Sequence, residues 1–153
     1  MTAPTASASI EIAAPPDRIY ALLTNLDTFA EISAETTKMA WKKGSAAAPG
    51  STFAGTNSNG KRTWSTTSRI TDADGARFAF EVSSVGGTPV SRWQYEIEPI
   101  ATGSRVTEST WDKRPIWFKK VAELVTASPN RPSINARNID ATLARLKARA
   151  EAG

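Results

Sequence analysis

Between residues 37 and 111 the chain alternates its apolar side chains with a period of two, and past Pro115 that period lengthens to between three and four. This switch limits the fold more than any other feature. Period-two segments bounded by turn residues are strands with one buried face, and short turns between successive strands join them antiparallel. Asn59-Gly60 is the strongest hairpin signal; Asp72-Ala73-Asp74-Gly75, Gly86-Gly87 and residues 101–104 mark further turns. The faces between them are in phase: Thr37, Met39 and Trp41; Phe53, Gly55 and Asn57; Trp64, Thr66, Ser68 and Ile70; Phe78, Phe80 and Val82; Ser91, Trp93, Tyr95 and Ile97. The C-terminal segment, 133–150, carries Ala136, Ile139, Leu143, Leu146 and Ala150 at steps of three and four, the stripe of an amphipathic helix.

Ahead of the alternating region, residues 9–13 read as a short strand, and Pro15-Pro16-Asp17 ends it and opens a helix. Proline suits a first turn whose amides lack partners, and Asp17 complements the helix dipole. Ile19, Leu22, Leu23 and Leu26 form its apolar stripe, and residues 28–32 form a second short helix with Phe29 and Ile32. Trp117, Val121 and Leu124 suggest a further helical stripe before the last one. The expected architecture is α+β: one domain over residues 9–150 behind a loose lead-in, 1–8, with a curved antiparallel sheet of six or seven strands wrapped around a long C-terminal helix.

Cysteine and histidine are both absent. That excludes disulfides, thiol nucleophiles, histidine-based triads and Cys/His zinc sites, and no metal or cofactor is expected. Proton chemistry would fall to Asp, Glu, Lys or Tyr with a pKa shifted by burial. Net charge is +4, with 9 basic against 3 acidic residues from Lys113 onward. No nucleic-acid motif accompanies that basic third and aromatics are not interleaved along it as stacking platforms would need, so a solvated helix surface is expected and no nucleic-acid partner. No apolar run reaches the length of a membrane span, and the lead-in lacks the charge and apolar core of a signal peptide, which makes the cytoplasm the expected location. Oligomeric state is open between monomer and homodimer.

Three strings carry a resemblance. Residues 10–24, IEIAAPPDRIYALLT, residues 91–99, SRWQYEIEP, followed by 103–109, GSRVTES, and residues 139–147, IDATLARLK, are similar to the opening, late strands and closing helix of bacterial members of the START/polyketide-cyclase-like (SRPBCC) superfamily. The resemblance implies a helix-grip fold with a cavity between the sheet and the last helix. It also implies a range of roles, from lipid carriers and hormone binders to polyketide aromatase/cyclases.

The residues give their own reason to expect a cavity. Gly55, Asn57, Thr66 and Ser68 occupy buried-phase positions on adjacent strands, where small polar groups leave space and need partners. The expected ligand-binding residues are Trp41, Phe53, Asn57, Trp64, Thr66, Phe78, Phe80, Trp93, Tyr95, Glu108, Ile139 and Leu143. Glu108 and Tyr95 are the candidates for catalysis. Counting from Val106 puts Glu108 and Thr110 inside; counting back from Trp111 gives the opposite phase, and both cannot hold without a bulge. The leading functional expectation is a binding or carrier protein for a hydrophobic, lipid-like or aromatic small molecule. A metal-free aromatase/cyclase-type enzyme using the same cavity is the alternative, and a regulatory interaction module the third.

Overall fold

In the computed structural model, which describes residues 2–84, 86–115, 117 and 131–152, strands and helices follow the order the periodicity implies. They are β1 (Ala6–Ile12), α1 (Pro16–Thr24), α2 (Leu26–Ile32), β2 (Thr36–Lys43), β3 (Thr52–Ser58), β4 (Thr63–Ala73), β5 (Arg77–Ser84), β6 (Pro89–Ile100), β7 (Gly103–Asp112) and α3 (Arg131–Glu151). All seven strands form one curved sheet in the order β1-β7-β6-β5-β4-β3-β2, with every neighbouring pair antiparallel. β2 to β7 are a meander; β1 completes the sheet by pairing with β7.

Turn chemistry sets the register. Asn59 Oδ1 accepts from the amides of Lys61 and Arg62, each at 2.9 Å, and Asp74 Oδ1 accepts from Ala76 at 3.0 Å and Arg77 at 2.8 Å. Gly60 (φ 88°) and Gly75 (φ 90°) supply the left-handed residue inside each turn. β1 starts at Ala6, three residues before the point where its alternation is visible in the sequence. Its early register is held by paired hydroxyls, Ser7 with Ser109 at 2.9 Å and Ser9 with Thr107 at 2.7 Å, rather than by apolar contrast.

The core lies between the concave face and the helices. Phe29 of α2 meets Phe78, Phe80 and Tyr95 edge-on, with ring centroids 5.9, 5.8 and 5.6 Å away, and Phe53 meets Phe80 at 5.3 Å. In the α3 stripe Ile139, Leu143, Leu146 and Ala150 are buried, as their spacing predicts, whereas Ala136, expected to head the stripe, is exposed. α3 is also tied to the first strand and its exit: Lys147 Nζ donates to the Glu11 carbonyl at 3.1 Å, and the Ala13 amide donates to Glu151 Oε2 at 2.8 Å. Val121 and Leu124 of the expected preceding helix lie outside the described residues, and Trp117 is exposed. Among the described residues no helix is long and apolar enough to cross a membrane.

Candidate functional site

The concave face does not pack fully against α3. A cavity of about 420 Å³ remains between β3–β7, α2 and α3. Its walls are Phe53 and Gly55 of β3, Trp64 of β4, Phe80 and Val82 of β5, and Trp93 of β6. The void sits where the alternation places small polar residues in the buried phase. Asn57, Thr66 and Ser68 all line it. Their polarity is answered locally: Thr36 Oγ1 donates to Asn57 Oδ1 at 2.8 Å, and Asn57 Nδ2 donates to Thr66 Oγ1 at 3.0 Å.

Deep in the cavity, Tyr95 of β6 and Glu108 of β7 face each other as register partners. The Tyr95 hydroxyl and Glu108 Oε2 are 2.6 Å apart, and both residues are only 2% exposed. Burial pushes the Glu108 carboxyl up to about 8 from a usual value near 4.5; the bond to Tyr95 opposes the rise and the charge of Asp140 adds to it. Burial, then the charge and hydrogen bond of Glu108, hold the Tyr95 phenol well above its usual 10. Glu108 is therefore chiefly the neutral acid at neutral pH. Its other oxygen, Oε1, is buried with no hydrogen-bond partner among the described residues.

The β6–β7 register runs without interruption from Ser91–Asp112 to Ile100–Gly103, which settles the phase of β7. Val106, Glu108 and Thr110 point to the concave side. Trp111 lies on the convex side, where its indole donates to the Thr2 carbonyl at 2.8 Å and the Arg92 guanidinium lies over its ring at 6.0 Å. No bulge is needed because both faces of this strand end find cover.

Most expected wall residues line the cavity: Phe53, Asn57, Trp64, Thr66, Phe80, Trp93, Tyr95 and Glu108 do. Four do not. Phe78 is in the inward phase, but Phe29 packs beside it, and it is core. Ile139 and Leu143 are fully packed against the sheet; the flank of α3 instead offers Asn135, Asn138 and Thr142 to the cavity. Trp41 packs edge-on against Phe53 and borders a separate open groove with Tyr20, Asp27 and residues 45–47. The loop over 44–50 adjoins that groove, whereas Gly86 lines the cavity. Thr37 also turns out of phase: a bulge between Thr36 and Lys38 sends Thr36 inward in its place.

Sequence reasoning missed two groups with a readable signal. Extending the Val106 phase past Thr110 reaches Asp112 and Arg114, both of which line the cavity. They form a forked ion pair, Nε to Oδ1 at 3.0 Å and Nη2 to Oδ2 at 2.9 Å. Asn135, Asn138 and Thr142 repeat the three- and four-residue steps of the apolar stripe along its edge. Glu35, Ser33 and Phe29 also line the cavity, brought there by the junction of α2 with β2. Among the described residues no group of three acidic side chains is placed to hold a metal ion.

The geometry coincides with a family-level match. The model of the family described as "Polyketide cyclase / dehydrase and lipid transport" matches residues 3–151. The chain belongs to this family. No curated protein sequence matches it. Among solved structures, the polyketide-cyclase-like protein Cgl2372 from Corynebacterium glutamicum is 27% identical, with 99% of this chain and 94% of that one covered and a TM-score of 0.61. Protein CV1439 from Chromobacterium violaceum shares 14% identity over 96% and 97% of the two chains, with a TM-score of 0.72. The di-domain ARO/CYC StfQ from the steffimycin biosynthetic pathway shares 16% identity at a TM-score of 0.70; the match covers 95% of this chain and 49% of StfQ. At 14% and 16% identity the last two establish the helix-grip fold alone. Membership of the polyketide cyclase/dehydrase and lipid transport family supports a hydrophobic-ligand or cyclase role without choosing between them.

Proposed function

We propose that the chain binds, as a carrier or receptor, a hydrophobic small molecule of about two or three fused rings in the cavity between sheet and α3. The observation that carries this reading is the cavity itself: about 420 Å³, with the broad apolar faces of Phe53, Trp64, Phe80 and Trp93 set among polar side chains such as Asn57, Thr66 and Glu108. Flat aromatic ligands match such walls through stacking and apolar burial. Titration with naphthalene and anthracene, followed by quenching of the indoles, should give saturable one-to-one binding. Gly55→Leu should abolish it, because a side chain there enters the space among Thr36, Asn57 and Thr66. Failure of every aromatic probe to saturate would overturn the reading.

One observation favours a cyclase-type enzyme as a second reading. Glu108 is a buried carboxyl at about 8, bonded to a phenol inside the cavity, and such a group exchanges protons near neutrality. Turnover of an enolisable poly-β-ketone mimic that vanishes in Glu108→Gln while binding persists would select this reading; binding without turnover would select the carrier.

A further inference from the structure

The Tyr95–Glu108 pair has a hydrogen to spare. When both groups are neutral they hold two hydroxyl hydrogens, and the 2.6 Å bond between them uses one. This holds whichever oxygen donates: if Tyr95 donates to Oε2, the carboxyl proton is left over, and if the carboxyl donates, the phenol proton is. Neither the second carboxyl oxygen nor the phenol has any other partner among the described residues. A buried donor without an acceptor is costly, and the space adjoining the pair is the cavity.

We propose that the floor of this cavity seats a neutral ligand by an uncharged acceptor oxygen, a ketone or quinone carbonyl, bonded to the Tyr95–Glu108 pair, and that the site selects against carboxylate and phosphate head groups. The proposal rests on the ligand-binding reading above and adds which end of the ligand goes in and what chemistry it bears. A carboxylate would also accept the spare hydrogen, but it brings a charge into a buried floor where, among the described residues, no unpaired cation meets it. Arg114, the cation lining the cavity among the described residues, is already paired with Asp112, and it stands beyond the far end of β7. The groups facing Glu108 reinforce the bias. β1 opposes it with Ala8, α2 lays Phe29 on Tyr95, and α3 contributes the negative charge of Asp140.

The same stoichiometry sets a pH limit. Once Glu108 ionises, at about 8, the single remaining hydrogen is consumed within the pair and a carbonyl ligand meets a bare anion. A ligand bound only by the neutral pair then loses affinity in proportion to the neutral fraction, about tenfold between pH 7 and pH 9.

The test is a titration of the whole protein with 2-acetylnaphthalene, 2-naphthoate and naphthalene at pH 7 and pH 9, where the charge of none of the three changes. The ketone should bind at least tenfold more tightly than the carboxylate at pH 7, and lose about tenfold at pH 9, while naphthalene stays level. Glu108→Gln, which keeps a donor but cannot ionise, should bind the ketone equally at both pH values. Equal affinity for ketone and carboxylate, a ketone affinity unchanged by pH in the natural protein, or a pH loss that survives in Glu108→Gln would each overturn the proposal while leaving the cavity a binding site. If naphthalene itself does not bind, the underlying ligand-binding reading falls instead. The two pH arms on the unaltered protein stand without the variant.

Discussion

Replacing Glu108 by glutamine should make the protein more stable, and increasingly so as pH rises. The folded carboxyl sits at about 8 against a usual 4.5, so the native state holds its proton more tightly than the unfolded chain does. The sign follows directly: the contribution is present in full below about pH 4.5, declines as pH rises, and is lost once pH passes about 8. The difference of about 3.5 pH units corresponds to about 5 kcal/mol between pH 4.5 and pH 8 and above. That is an upper limit, because water entering the adjoining cavity solvates the ionised group, and about 2–4 kcal/mol between pH 5 and pH 9 is the working expectation. The window is unusually clean. There is no histidine, the carboxyls of Asp72 and Glu151 are held below their usual range, and Tyr95 titrates far above it. Urea unfolding followed by tryptophan fluorescence at pH 5, 7 and 9 measures the effect, with the urea dependence of each transition checked for constancy. Parallel stability curves for the two proteins across that range would refute the reasoning, as would a natural protein that gains on the variant when pH rises.

Trp93→Ala should weaken aromatic-probe binding by ~1–3 kcal/mol, since the half-buried indole lines the cavity with its Nε1 donating to Ser91 Oγ at 3.0 Å; binding and melting temperature need to be measured on the same sample to separate lost contact from lost structure. Phe29→Ala should cost ~3–5 kcal/mol in urea unfolding, because one ring holds edge contacts to Phe78, Phe80 and Tyr95 at once. Gly103→Ala should cost about 3 kcal/mol in the same assay. Gly103 has φ 143°, and a Cβ there would stand 2.2 Å from the Ile12 carbonyl oxygen, where only backbone can give way. A melting temperature unchanged in Gly103→Ala would show that the β1–α1 junction is softer than its packing indicates.

The sheet was legible because most of its strands alternate with a period of two, and Asn59-Gly60 and Asp74-Gly75 mark the turns that join β3 to β4 and β4 to β5. α3 was legible for the same reason at a longer period. What stayed hidden depended on partners distant in sequence. Nothing near Trp111 says that the Thr2 carbonyl and Arg92 will cover an indole on the convex face, so its phase and that of Glu108 looked incompatible. Nothing near Phe78 says that Phe29 will claim it for the core while Phe80, two residues on, reaches the cavity. The bulge that exchanges Thr37 for Thr36 leaves no mark in a run of two threonines. In α3 the apolar stripe drew the eye to Ile139 and Leu143, yet a helix lying across a cavity presents its shoulder to it, and the polar shoulder residues are the ones that line it.

The tethering of α3 to the first strand bears on how the molecule assembles. Among the described residues β1 pairs with β7 alone, and the residues that clasp it, Lys147 and Glu151, come more than 130 positions after Glu11 and Ala13. A nascent chain can fold the β2–β7 meander hairpin by hairpin as it leaves the ribosome, but β1 must wait for β7, and the apolar concave face must wait for α3. Until the last turn of that helix emerges, the aromatic surface that walls the cavity is open to solvent and to other chains. Contacts of such sequence separation are slow to form. The interval before closure is when the aromatic wall is least covered and the chain most prone to aggregate.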